Sequence, residues 1–294
     1  MTVSMTKRIL LSLSICTGVL LCSSASGGCH RECLQGLIDL YLGALAKHDA
    51  STLPVAPSVK FTENGMALKL GDGFWKTAGA ATYRLYALDP ESGGAALEAV
   101  VNDTTEPAHF LLRLKVEKRK VTEIETVVVH KGTAGFYAPE RLTQTPPLYL
   151  KTVPPEERNT REQLVAAADA YFNAIETEGT PEFKPAPFAP GMNRFENGVQ
   201  TTNASVNGRP PRTAEQQFEA ALFKGIMATN RRCPVVDVER GIVLGIVLFH
   251  GGTARPTADK VGFIAEMFKI TGGKIREIQA VIQNRTADIG TGWN

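Results

Sequence analysis

Near the start of the chain, Leu34, Leu37, Ile38, Tyr41, Leu42 and Leu45 recur at the three- and four-residue spacing of one helix face. Lys47-His48-Asp49 ends the pattern and predicts the helix C-terminus. Farther on the apolar period shortens to two. Residues 95–102, 110–117 and 121–130 read as strands, and so do 241–250, 261–270 and 274–283. Turn chemistry separates them at Asp89-Pro90-Glu91-Ser92-Gly93 and at Thr271-Gly272-Gly273. A second helix is predicted over 213–228, with Thr213 as N-cap and Glu215 and Gln216 in the first turn. Its counterpart around 74–78 is much shorter.

The same order of elements is written twice. APSVKFTENG (56–65) returns as APGMNRFENG (189–198), DLYLGAL (39–45) as DAYFNAI (169–175), and FWK (74–76) as LFK (222–224). LKVEKRKVTEIETVVV (114–129) returns as FKITGGKIREIQAVIQ (268–283), and Arg84, Asp89 and Glu91 match Arg232, Asp237 and Glu239. Insertions at 203–212 and around 254–258 account for the growing offset. The expected organisation is a first repeat over 29–133, a linker over 134–160 and a second repeat over 161–294. Pro139, Pro146, Pro147, Pro154 and Pro155 make the linker read as an extended, semi-rigid spacer. Helices followed by a curved antiparallel sheet predict an α+β cone in each repeat.

DLYLGALAKHD, the ENG strand and the C-terminal hairpin resemble the NTF2-like superfamily, which includes ketosteroid isomerase and the SnoaL-like cyclases. LPVAPSVKFTENG, LKLGDGFWKTA and RLKV…TEIETVVV resemble, more closely, secreted and largely uncharacterised NTF2-like proteins of fungi and bacteria. The resemblance implies two tandem NTF2-like cones, each with an apolar pocket. It also implies pairing through the outer sheet faces, which a tandem chain satisfies internally as a pseudo-dimer.

Composition adds limits. With 43% hydrophobic and 21% charged residues, the chain of 294 is an ordinary globular protein. Its first 26 residues carry Lys7-Arg8, an apolar run over 9–21 and small residues after it, and read as a cleaved secretory signal. The run is too short for a membrane span, which needs about 20 apolar residues. The expected location is secreted or periplasmic. Removing Lys7 and Arg8 takes the formal charge from +2 to about zero, which recruits no nucleic acid. Cys29, Cys33 and Cys233 remain, so a disulfide with one cysteine over is expected, its connectivity open. No metal-ligand spacing and no nucleotide or Ser-nucleophile motif stands where its mechanism needs it, so no cofactor is expected.

Candidate chemistry follows partly from the resemblance. In the isomerase a helix Tyr donates to the developing enolate oxygen while a strand carboxylate removes the proton. Tyr41 and Tyr171 occupy the matching helix positions, where a buried structural phenol is the alternative. Asn64, and its copy Asn197, stand where the isomerase keeps its base. An amide takes no proton at neutral pH but orients a substrate; the alternative is a turn in which Asn-Gly allows positive φ. A one-residue register shift points Glu63 inward instead. Trp75 is placed at a pocket mouth or in the core. In the second repeat, His250 and Glu266 lie on adjacent apolar strands and are a candidate acid–base pair. The expected function is a secreted, cofactor-free lyase, isomerase or hydrolase working by acid–base catalysis on a small, largely apolar molecule. The alternative is a non-catalytic module binding an apolar ligand or a protein.

Overall fold

The computed structural model describes residues 28–252 and 259–293. The predicted signal segment and the 254–258 insertion lie outside the described residues. Each repeat opens on a helix, α1 (Arg31–Ala46) in the first and α3 (Arg161–Thr177) in the second. Thr160 caps α3: its hydroxyl accepts the Gln163 N–H while the Gln163 side chain accepts the Thr160 N–H. The first sheet runs β1 (Val55–Glu63), β2 (Met66–Ala67), β3 (Ala81–Asp89), β4 (Gly94–Val101), β5 (Ala108–Glu117) and β6 (Lys120–Val129). A short α2 (Pro147–Leu150) lies in the linker. The second sheet runs β7 (Phe188–Glu196), β8 (Val199–Gln200), β9 (Ile226–Asp237), β10 (Ile242–Gly251), β11 (Lys260–Thr271) and β12 (Lys274–Thr286), with α4 (Ala214–Glu219) between β8 and β9.

The two sheets have the same strand order, β2-β1-β6-β5-β4-β3 and β8-β7-β12-β11-β10-β9. The architecture is therefore α+β in two tandem copies. Both sheets are mixed rather than purely antiparallel, because β1 joins β6, and β7 joins β12, in parallel. The predicted helix over 213–228 has its cap where expected but stops at Glu219. Ala221 and Gly225 take positive φ, and the chain then leaves as β9, a strand that the sequence pattern does not announce. The linker is no free spacer. Tyr149 is buried and donates to the Met267 carbonyl at 2.8 Å, and Val153 N–H donates to Glu239.

Alternation along the strands divides each sheet into two apolar faces. The inner face of the second sheet, with Val243, Val247, Phe249, Ile264 and Phe268, packs on α3. The outer face, with Ile242, Leu244, Ile246, Leu248, Phe263 and Met267, packs against Tyr83, Leu85, Ala96, Leu111 and Val127 of the first repeat. A reciprocal ion pair brackets this seam. Asp237, wholly buried, accepts from Arg31 at 2.7 and 2.9 Å and from Leu88 N–H at 3.0 Å. Asp89 accepts from Arg161 at 2.5 Å and from Val236 N–H at 3.1 Å. Arg31 and Arg161, Leu88 and Val236, and Asp89 and Asp237 are equivalent positions of the two repeats. The contact is self-complementary, like that of a two-fold dimer.

The repeated ENG belongs to the same arrangement. Asn64 and Asn197 take positive φ. Each holds one residue of its sheet's last strand by both its amide and its carbonyl: Asn64 on Val128 at 3.2 and 2.8 Å, Asn197 on Ile282 at 2.9 and 3.0 Å. The glycine that follows faces the other repeat. A Cβ on Gly65 would collide with the Gly290 carbonyl, and one on Gly198 with the Ala138 carbonyl. Each copy thus receives the chain that leaves the other copy's last strand. Farther out, the tail lays Trp293 on the first sheet, its indole N–H donating to Thr62 at 2.8 Å beneath Lys60 and Arg113.

Two outcomes follow from this seam. Asp237→Ala removes the two-pronged carboxylate partner of Arg31, leaving it Glu239 and the Leu88 carbonyl, and strands the Leu88 N–H, so it is expected to destabilise the protein by about 2–4 kcal/mol in urea unfolding. Asp89→Ala should cost a comparable amount. A cost below about 1 kcal/mol for both would contradict the bracketing role. Residues 157–294 expressed alone expose Ile242, Leu244, Ile246, Phe263 and Met267 and should aggregate or self-associate. A soluble monomeric fragment by light scattering would refute the internal pairing.

Candidate active site in the second repeat

A cavity of about 550 Å³ lies in the second repeat between α3, α4, the inner face of its sheet and the 201–212 loop, with Gly135 and Phe136 of the linker completing its lining. That size suits a small organic molecule. Arg194 of β7 lies within it, 4% exposed. Its guanidinium is aimed by four neighbours. Nε donates to Glu196 at 2.9 Å and to Thr201 Oγ1 at 3.2 Å, and the terminal nitrogens donate to the Tyr171 hydroxyl at 3.3 Å and the Gln217 carbonyl at 2.6 Å. Gln217 arrives from α4, whose Thr213–Gln216 capping box sets the helix start. Burial works against the Arg194 charge. Tyr171, Glu196 and Glu266 outweigh it, so the guanidinium holds its proton more firmly than usual.

Glu266 projects from β11 beside Ile264 and Phe268 and is 2% exposed. Its Oε2 has no hydrogen-bond partner. Burial raises its pKa from 4.5 to about 8; Arg194 opposes the rise and Glu196 adds to it. At neutral pH it is therefore an uncharged carboxyl lining a cavity beside a permanent cation. Burial also raises the Tyr171 pKa, with the Glu266 charge adding and Arg194 opposing. Phe223, Ile226, Phe249, Ile264 and Ile282 form the apolar wall.

The structure brings Tyr171, Glu266 and Asn197 to this cavity and separates the other candidates from it. His250 is no partner of Glu266. Glu266 pairs with Gly245, five residues before His250 on β10, which puts the two about 17 Å apart along the ladder. His250 also follows the alternation of the seam-facing residues and bonds Thr229 Oγ1 at 2.9 Å. Asn197 lines the cavity but has no donor or acceptor left for a substrate. Its amide donates to Phe136 and Ile282, and its carbonyl accepts from Ile282 N–H and meets His109 at 3.0 Å. Asn64 is the same clamp on Val128, not a substrate ligand.

In the first repeat the corresponding space is packed. Phe61 stands where Arg194 stands and Leu112 where Glu266 stands, both buried. Tyr41 accepts a hydrogen bond from the Trp75 indole at 3.0 Å in an edge-to-face pair, which makes both core residues and corrects the placing of Trp75 at a pocket mouth. Glu63 does turn inward, but its carboxylate caps the short turn at Gly73–Lys76 by accepting the Phe74 N–H at 3.0 and 3.2 Å. Burial raises its pKa against that bond and the nearby His130. Glu63 is a cap, not a free base. Among the cysteines, Cys29 and Cys33 are disulfide-bonded, while burial, and then Asp169, pushes the Cys233 thiol up to about 12, too high for a nucleophile.

Arg194, Glu196, Thr201 and Gln217 were not singled out by sequence pattern. One signal was available: aligning APSVKFTENG with APGMNRFENG sets Arg194 against Phe61, a charge where the other copy has a core aromatic. Among the described residues, no three His, Cys, Asp or Glu side chains converge as metal ligands, and no helix is long and apolar enough to cross a membrane.

Two solved structures share parts of the chain's shape. One is a protein of unknown function with a cystatin-like fold from Methylobium petroleophilum PM1, 14% identical, covering 38% of this chain and 85% of its own, at a TM-score of 0.32. The other is a steroid delta-isomerase from Pseudomonas aeruginosa, 13% identical, covering 34% of this chain and 82% of its own, at a TM-score of 0.27. Likenesses of this size carry no activity across. No curated protein matches the chain. One family model matches it twice, over residues 29–128 and 157–282, the two repeats that the sheets define. The chain belongs to that family, described as a domain of unknown function, DUF8021.

Proposed function

We propose that the second repeat is an enzyme domain that moves protons on a small, largely apolar molecule, and that the first repeat is its structural partner. The observation that carries this reading is Glu266, a buried carboxyl that lines the cavity, has one oxygen without a hydrogen-bond partner and has its pKa raised to about 8. Such a group holds a proton at neutral pH and releases it at little cost, the condition for general acid–base work. Arg194 keeps one N–H on each terminal nitrogen beyond those bonded to Tyr171 and Gln217, so it can support negative charge developing on a substrate oxygen. The reaction classes that fit are isomerisation, elimination and hydrolysis. We further propose export to an oxidising compartment, on the leader-like first 26 residues and the Cys29–Cys33 disulfide.

Proton transfer is measured directly as deuterium exchange from D2O into the α-carbon of 2-tetralone. The protein should accelerate exchange over buffer, increasingly as pH passes about 8 and the Glu266 carboxylate forms. Glu266→Gln should remove roughly 100-fold or more of that acceleration, whereas Glu63→Gln should keep it. No acceleration by the wild-type protein would sink the catalytic reading and leave a binding cavity.

Stability reports the same group independently. With a folded pKa near 8 and an ordinary value of 4.5, Glu266 is neutral in both states below pH 4.5. As pH rises to about 8 the unfolded chain ionises first, and the native state loses roughly 3–5 kcal/mol in full. Glu266→Gln is therefore expected to match wild type in stability at pH 4 and to exceed it at pH 8, read by chemical denaturation. An equal difference at both pH values would show that Glu266 is not buried as a neutral acid.

A further inference from the structure

Residues 203–212 of this loop have no counterpart in the first repeat, and the loop forms one wall of the cavity. It is a built element. Asn203 N–H donates to the Arg212 carbonyl at 2.7 Å and closes the loop at its base. Val206 and Arg209 exchange backbone hydrogen bonds at 3.2 and 2.9 Å across Asn207-Gly208, both at positive φ, as an Asn-Gly turn requires. Asn203 pins the loop to β7 through Met192 and Asn193, each at 2.9 Å. Two cations ride on this frame, Arg209 and Arg212. Both line the cavity, Arg209 exposed and Arg212 half-buried, and among the described residues neither side chain has a hydrogen-bond or ion-pair partner.

The charges around the cavity do not balance. Its lining carries three arginines, Arg194, Arg209 and Arg212, against the carboxyls of Glu196 and Glu266. Glu196 is taken by Arg194, and Glu266 is neutral below about pH 8. Two positive charges are left over, and both sit on the loop. Arg209 is exposed and Arg212 half-buried, so their field reaches both the cavity and the solvent at its mouth and draws anions toward it. Leu222, Phe223, Phe249 and Ile264 supply apolar lining to the same cavity. The cavity thus combines loop cations, apolar side chains and a neutral acid.

We propose that the ligand of this cavity is an amphipathic organic acid: an apolar skeleton against the aromatic wall, with a carboxylate held by Arg209 and Arg212. The proposal rests on the reading of this cavity as the functional site and adds the substrate class to it. Guanidinium groups pair with carboxylates in a forked geometry, which suits a loop presenting two of them. The anionic group stays at the loop, and the apolar body reaches Glu266.

The test is a calorimetric titration of the full-length protein with 2-naphthoate and with its uncharged isostere 2-naphthamide at pH 7. Naphthoate should bind at least tenfold more tightly, with an advantage that shrinks as NaCl is raised. The double substitution Arg209→Ala with Arg212→Ala should remove most of that advantage and leave naphthamide binding unchanged, which also shows that the cavity stays folded. Equal affinity for the two probes, binding of neither, or an equal loss of both in the double variant would overturn the proposal. The deuterium-exchange assay fails or succeeds separately, because 2-tetralone is uncharged. Exchange without charge preference refutes the acid-binding loop alone, and charge preference without exchange refutes catalysis alone.

Discussion

The burial of Asp237 and Asp89 between the two repeats is the constraint on which the rest of the structure depends. A carboxylate taken out of water at the end of a sheet is tolerable only when a cation and backbone donors meet it. Here the cation and one of those donors come from the other repeat in both cases. Neither repeat therefore completes its own β3 or β9 edge. The apolar seam between the sheets supplies most of the burial, and the reciprocal ion pairs fix how the sheets sit on each other. An apolar face alone tolerates sliding, whereas two buried pairs related by a pseudo-two-fold axis do not.

That pairing lets the copies diverge. Both repeats must keep the outer face and the Arg–Asp brackets, because each serves the partner. The interiors answer to no such demand. In the first repeat the interior is a packed core of Phe61, Leu112, Tyr41 and Trp75. In the second, Arg194 and Glu266 occupy the positions of Phe61 and Leu112, and the space between them is a cavity. A buried Arg, and an acid kept neutral by burial, lower the stability of the copy that holds them.

Much of this was legible in the residues. The duplication, the leading helix of each copy, three of the strands in each sheet and the Thr213 cap all follow from pattern, because periodicity and capping are local properties. The site was legible only in part. Tyr171 and Glu266 could be named, yet His250 was grouped with Glu266 because both sit on adjacent apolar strands. On β10 both faces are apolar, Ile242, Leu244, Ile246 and Leu248 on one and Val243, Val247 and Phe249 on the other. Alternation separates two such faces but does not say which encloses the cavity. Asn197 was misjudged for a related reason: its amide is spent on Ile282 and Phe136, contacts 85 and 61 residues away.

The sequence by itself determined that the chain is two copies of one helix-and-sheet unit, each with an ENG at the end of a strand. Only the tertiary structure decided what the copies do to each other. Residues 31, 89, 161 and 237 are far apart in the chain, and no local rule says that Arg31 belongs to Asp237 and Arg161 to Asp89. Nor does any local rule say that one interior closes on aromatic side chains while the other stays open around a neutral acid. Local geometry is set by neighbours in sequence, whereas charge, protonation and free volume are set by neighbours in space. Those spatial neighbours make Glu266 a chemical group and Glu63 a cap.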